Sequence, residues 1–335
     1  MRTIIGCILD TKPAIKSVFM NILNRIKPLA GVLLSASLIS TTLIADESLN
    51  AANKAAFFAT LNTNNTASET ASLPNHLKIE YLSATLLNAP YVDGSLGEGE
   101  QGKYDKDPLV RFDVFDCTTY VEAVLAGALS NSQEDFMPNL MKLRYKEGKV
   151  SFVTRNHFPS ADWIPNNQDL LIDITDQVAG SLIAIAKTVI DKPAWYQKMT
   201  EDRLQCEDES SIACRTLLNQ LQAEGKSFLP ESVETPYTPL TALYLDDHSA
   251  NLSLLDRIPS GSIISMVRPN WDIKKWIGTN MNVSHQSIAI RKGDTLFLRH
   301  ASQTHKKVMD VDFLEYFAQY KPTSSLQGFN IQALR

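Results

Sequence analysis

Read from the N-terminus, the first strong pattern is an apolar run without a charge, Pro28 to Ala45 (PLAGVLLSASLISTTLIA). Arg25 and Lys27 stand before it, and Asp46 and Glu47 follow it. A basic flank, an apolar stretch and a small final residue form a secretory signal, so residues 1–45 are expected to be removed after Ala45. An uncleaved anchor is the alternative, which the Ser and Thr of the run weaken. Translation from Met20 would give a more compact leader (MNILNRIK).

Beyond the leader, residues 46–73 are rich in Ala, Asn, Thr and Ser and predict a flexible leader or a short helix. Residues 75–88 place Leu77, Ile79, Leu82, Leu86 and Leu87 at helical spacing. A Gly-rich loop, PYVDGSLGEGEQGKYDKDP, follows and predicts a flexible rim to a cleft. The clearest helix start lies in VRFDVFDCTTYVEAVLAGALS: Asp116 is a good N-cap, and Tyr120, Val121, Val124, Leu125, Ala128 and Leu129 recur at helical spacing. Residues 152–175 predict irregular chain leading into a strand, 177–189 a helix, and about 192–230 a charged helical insertion. From Ile258 the alternation changes to strands: GSIISMV, SHQSIAIRKGDTLFLRHAS and GFNIQAL. Helices first and an antiparallel sheet afterwards predict an α+β fold, with 74–335 as a single domain.

Composition narrows the partners. The 335 residues are 44% hydrophobic and 21% charged, ordinary for a globular chain, and the net charge is −5. Loss of residues 1–45 removes five basic residues and one acid, taking the charge to −9. That balance argues against nucleic acid and against lasting attachment to anionic lipid, and the mature protein is expected to be a monomer in the periplasm. Of four cysteines, Cys7 leaves with the leader, and Cys206 and Cys214 are close enough in sequence to pair in an oxidising compartment. Cys117 is then left over. It is either an inert small residue or a thiol kept for its reactivity.

The position of Cys117 bears on that choice. A thiol in the first helical turn meets unpaired N–H groups and the positive end of the helix dipole, which stabilise a thiolate against a pKa of ~8.5. In the hairpin, a two-residue turn at Gly293-Asp294 pairs Lys292 with Thr295 and brings His300 opposite Ser287, with His285 one same-face step away. Cys117, His285 and His300 can then serve as nucleophile, base and orienting group; two structural histidines are the alternative. Arg155, His157, Asp162 and Trp163 crowd a Pro- and Asn-rich stretch, either as substrate contacts or as an irregular loop held by an Arg–Asp pair. No His-x-x-x-His or Cys-x-x-Cys occurs, so no metal and no cofactor is expected.

Together, FDCTTYVEAVLA, RYKEG, TRNHFPSADWI, SHQSIAI and RHAS resemble the N-acetylmuramoyl-L-alanine amidase-like branch of the NlpC-type papain-fold cysteine hydrolases, from about Pro74 to the C-terminus. The resemblance implies a papain-like core with the Cys117 helix packed on an antiparallel sheet. It implies Cys117 as nucleophile, His285 as base and acid, and His300 as its orienting partner. It implies muropeptides as partners, cut at the amide between N-acetylmuramic acid and L-Ala, often in 1,6-anhydro fragments. Arg155, His157, Asp162, Trp163 and Ser287 become candidate substrate contacts. A D-Glu–diamino acid endopeptidase or a non-catalytic wall-binding module is the alternative. Where relatives read His-Val-Gly, this chain has His285-Gln286-Ser287, and the Cys206–Cys214 insertion matches no motif of the family.

Overall fold

The computed structural model describes residues 36–66, 73–204, 206 and 211–335. Most of the expected signal peptide, with Cys7, lies outside the described residues. The helices are α1 (Ala36–Thr66), α2 (Asn75–Thr85), α3 (Cys117–Leu129), α4 (Gln133–Arg144), α5 (Ile164–Asn166), α6 (Thr175–Ala179), α7 (Lys192–Gln197), α8 (Ile212–Gly225), α9 (Leu252–Leu255), α10 (Lys274–Ile277) and α11 (Phe313–Ala318). The strands are β1 (Leu171–Asp173), β2 (Ala184–Ile190), β3 (Glu231–Pro239), β4 (Ile263–Trp271), β5 (Met281–Lys292), β6 (Thr295–Ser302), β7 (Lys307–Asp312) and β8 (Gly328–Leu334). They form one antiparallel sheet in the order β2-β3-β8-β4-β5-β6-β7, with β1 also on β8. The mixture of helices and antiparallel sheet is the α+β class expected from the pattern.

Helix α3 is buried almost all round, as an apolar helix in the middle of a core must be. On one side it meets Ile288 and Ile290 of β5 and, on another, α1 and α2. β5 is covered on both faces, because Ala289 packs into a second core with Phe313, Tyr316 and Phe317 of α11. Double coverage explains why this strand is apolar or uncharged nearly throughout rather than strictly alternating.

Residues 46–66, read as a flexible leader or a short helix, are helical, and they dock. Phe57, Phe58 and Leu61 are buried, and both Phe rings pack on Phe112 and Phe136. Gly127 permits this approach: a Cβ there would lie 2.6 Å from Phe57 Cζ and 2.9 Å from Leu82 Cδ1. The Phe57 ring is fully enclosed and cannot step aside. Gly127→Ala is therefore expected to destabilise the protein by about 1–3 kcal/mol despite alanine's higher helix propensity. A urea midpoint equal to or above wild type would contradict this packing.

The helix expected over 177–189 is replaced by two shorter elements. α6 stops at Ala179, Gly180 takes φ 57°, and β2 begins at Ala184. Within β2, Ala186, Thr188 and Ile190 are buried while Ile185, Lys187 and Val189 are exposed, a period of two on the edge of the sheet. In the segment read as a helical insertion, α7 and α8 pack together, closed by the Cys206–Cys214 disulfide.

Candidate functional site

The site begins with the local chemistry of a helix start. Asp116 Oδ1 accepts from the Thr119 amide at 2.8 Å, and the Asp116 amide donates to Thr119 Oγ1 at 3.0 Å, a complete capping box. This fixes Cys117 as the first helical residue, 2% exposed. The Cys117 sulfur lies 3.8 Å from Thr118 Oγ1. Thr118 Oγ1 in turn donates to Gln286 Oε1 at 3.0 Å. The uncharged polar side chain at 286, unexpected in a buried strand, is thus the receptor for the first turn of α3. The sequence reading left Cys117 over as an unpaired thiol. In the structure its sulfur is instead held in a disulfide.

The hairpin register is the one the turn predicts. Lys292 pairs with Thr295, and the ladder runs to Ile288 opposite Arg299. Gly293 has φ 58°, the left-handed conformation that the first central position of a II′ turn needs. This register brings His285 Nε2 to 2.7 Å from His300 Nδ1, with the two rings nearly perpendicular. Tyr316 of α11 packs against both. A register shift in the β4–β5 pairing falls between His285 and Val283, and such a bulge re-aims side chains.

Burial, followed by the charges of His300 and Arg268, holds the His285 pKa well below its usual value. Burial likewise brings His300 down to about 4. Both rings are neutral at pH 7. His285 is therefore in the form that accepts a proton, and its Nε2 is already engaged by His300.

The candidate substrate contacts are internal. Arg155 donates to the Leu96 carbonyl at 2.9 Å and lies 3.5 Å from Asp105 and 3.7 Å from Glu98. Its charge is spent inside the Gly-rich loop. That loop, expected as a flexible rim, is tied down by Arg155 and by Tyr145 Oη donating to the Gly97 carbonyl. His157 is hydrogen-bonded through Nε2 to the Phe152 carbonyl and packs between Phe152 and Trp195. Asp162 accepts from Lys192 Nζ at 2.6 Å and from the Phe158 amide at 3.0 Å. Trp163 is fully buried in the core that holds α3. Ser287 is fully buried, with Oγ directed to the Ile264 carbonyl. None of the five presents an open surface, because ion pairs and aromatic packing that are remote in sequence enclose them.

His157 carries a consequence for acid stability. Burial, then the Arg155 charge, lowers its pKa to about 3. A histidine with a depressed folded pKa stabilises the fold above its unfolded value near 6.5, and loses that contribution as pH falls toward 3. His157→Phe, which keeps the ring packing, is expected to lose about 2 kcal/mol less than wild type between pH 7 and 4.5. Equal losses in urea titrations at the two pH values would show that His157 is not held neutral.

The sequence reading missed the partners. Lys192 of the insertion bridges Asp162 and Glu231, and Trp195 packs on Phe152, His157 and Phe158. The insertion is thus built onto the Arg155–Trp163 element. Asp93 of the Gly-rich loop stands near the start of α3, where burial first and then the charge of Asp116 raise its pKa. Neither relation has a local signal. Among the described residues no group of side chains could hold a metal ion, and no helix is long and apolar enough to cross a membrane.

A family model described as AmiA-like, N-acetylmuramoyl-L-alanine amidase-like, matches residues 81–324. A solved structure from Legionella pneumophila is 36% identical with a TM-score of 0.76, over 90% of this chain and 97% of its own. A structure described as an N-acetylmuramoyl-L-alanine amidase from Bacteroides uniformis is 23% identical with a TM-score of 0.56, over 78% of this chain and 99% of its own, a likeness of fold. No curated protein matches.

Proposed function

The chain belongs to the N-acetylmuramoyl-L-alanine amidase-like family, and from this premise we propose that it is a cysteine-dependent cell-wall amidase of the NlpC-type papain fold. Its substrate is the amide between N-acetylmuramic acid and the L-Ala of the stem peptide, in 1,6-anhydro turnover fragments. It works in the periplasm. The observation that carries this reading is the 2.7 Å bond between His285 and His300, on a strand against which the helix opened by Cys117 packs.

The reaction is acyl transfer. His285 takes the proton of the Cys117 thiol through Nδ1, since Nε2 is engaged by His300. The thiolate attacks the lactyl carbonyl of the muramoyl group. The capping box consumes the Thr119 amide, so the N–H groups of Cys117 and Thr118 hold the oxyanion. His285 returns the proton to the departing L-Ala amine, and water attacks the thioester with His285 as base. His300 keeps the His285 ring in orientation. Arg155, His157, Asp162, Trp163 and Ser287 serve the substrate indirectly, through the packing that holds the Gly-rich loop, the insertion and the sheet. The chemistry requires the Cys117 disulfide to be open, which a mild reductant in the assay provides.

Mass spectrometry of products from defined muropeptides tests the proposal. Free stem peptide and free anhydro-muramoyl sugar are expected. A stem truncated after D-Glu would replace this reading with the endopeptidase, and intact fragments would leave a wall-binding module.

A further inference from the structure

We propose that Asp93 is a further catalytic residue, donating a hydrogen bond from its carboxyl group to the oxygen of the carbonyl that Cys117 attacks; this rests on the amidase reading above. The placement follows from a short parallel ladder. The Phe115 amide donates to the Pro90 carbonyl at 3.0 Å, the Val92 amide donates to the Phe115 carbonyl at 3.0 Å, and Tyr91 bridges Phe115 in parallel. Asp93 follows Val92 directly and Cys117 lies two residues beyond Phe115, so the Gly-rich loop and the start of α3 leave this bridge side by side. Asp93 Oδ1 is sealed from solvent and has no hydrogen-bond partner among the described residues. A buried polar atom without a partner is costly, and such atoms are a mark of sites that complete their bonding with a ligand.

The electrostatics give the carboxyl the state this role needs. Burial first, then the neighbouring Asp116 charge, raises its pKa to about 8, against the opposing pull of Arg203 and Lys306. Tyr91, whose hydroxyl is likewise buried with no partner among the described residues, stays protonated. A carboxylic acid kept neutral at pH 7 is a strong hydrogen-bond donor, whereas a carboxylate beside a developing oxyanion would repel it. The proton remains on Asp93 throughout; the group lowers the barrier by stabilising charge and transfers nothing.

Kinetics on an anhydro-muropeptide, with a titration that needs no substrate, test the assignment. Asp93→Ala is expected to lower kcat by about 10²–10³-fold with KM little changed. Asp93→Asn, which retains an N–H donor, is expected to recover most of that loss. Wild-type kcat should fall as the pH passes about 8, and the Asp93→Asn variant should lack that limb. Carbon-13 NMR of aspartate-labelled protein, with Asp93→Asn to assign the signal, should show a carboxyl titrating near pH 8. An active wild type with an Asp93→Ala variant of equal kcat overturns the Asp93 role alone, as does a carboxyl that titrates in the ordinary range near 4. A wild type inactive on every muropeptide overturns the amidase reading itself.

Discussion

Cys117→Ala is expected to abolish hydrolysis of muropeptides, lowering kcat by at least about 10³-fold while leaving the thermal unfolding midpoint near that of the reduced wild type. The size of the effect follows from the role. A nucleophile has no substitute in acyl transfer, because water attacking the same amide lacks both the positioned thiolate and its base. The stability expectation has a separate cause: Cys117 lies at the tip of α3, where the Asp116–Thr119 capping box holds the helix start without the sulfur. Cys117→Ser should be equally inactive, since a hydroxyl beside a buried neutral imidazole ionises far less readily. A chelator should have no effect on wild type. Turnover by Cys117→Ala within tenfold of wild type would end the cysteine mechanism, and loss of wild-type activity to chelator would point to a metal hydrolase.

The largest effect on stability is expected at Arg144, far from the proposed chemistry. Arg144 Nε donates to Glu122 Oε2 at 2.6 Å, with both side chains nearly inaccessible at 2% and 3%. Arg144 Nη1 also holds the Leu109 carbonyl. Glu122 belongs to α3 and Arg144 ends α4, so the pair joins the Cys117 helix to its neighbour and to the Gly-rich loop. Arg144→Met would leave a carboxylate buried without a counter-charge, costing about 3–5 kcal/mol in urea unfolding. The double variant Arg144→Met with Glu122→Leu should recover a large part of that loss, since the desolvated charge is then gone as well. A single variant within 1 kcal/mol of wild type would show that the pair holds nothing, and a double variant worse than the single would contradict the charge explanation.

The two effects are separable because the role proposed for Cys117 is on reacting atoms, whereas Arg144 acts on packing. Gly127 belongs with Arg144: each governs how another segment meets α3. The Arg155 network plays a comparable part for the Gly-rich loop. The elements around Cys117 are thus held from several sides before any substrate arrives, which is the preorganisation that acyl transfer through a fixed oxyanion site demands.

By itself the sequence determined what short-range physics controls. The Asp116 cap and the start of α3 need only four consecutive residues. The His285–His300 meeting needs only the Gly293 turn and the period of two on each strand, so the register could be counted from the turn outward. The proximity of Cys206 and Cys214 was likewise visible from spacing. Tertiary structure decided the rest. Residues 184–190 became a strand because an edge of the sheet was open to them, where their apolar content alone fitted a helix equally well. Arg155 and Asp162 turned inward because Glu98, Asp105 and Lys192, distant along the chain, supply their counter-charges. Gln286 is explained by Thr118 and Ser265, and Asp93 is placed by the bridge of Tyr91 to Phe115. Caps and turns are settled by neighbours in sequence, whereas the burial of a charge is settled by which partners the fold brings to it.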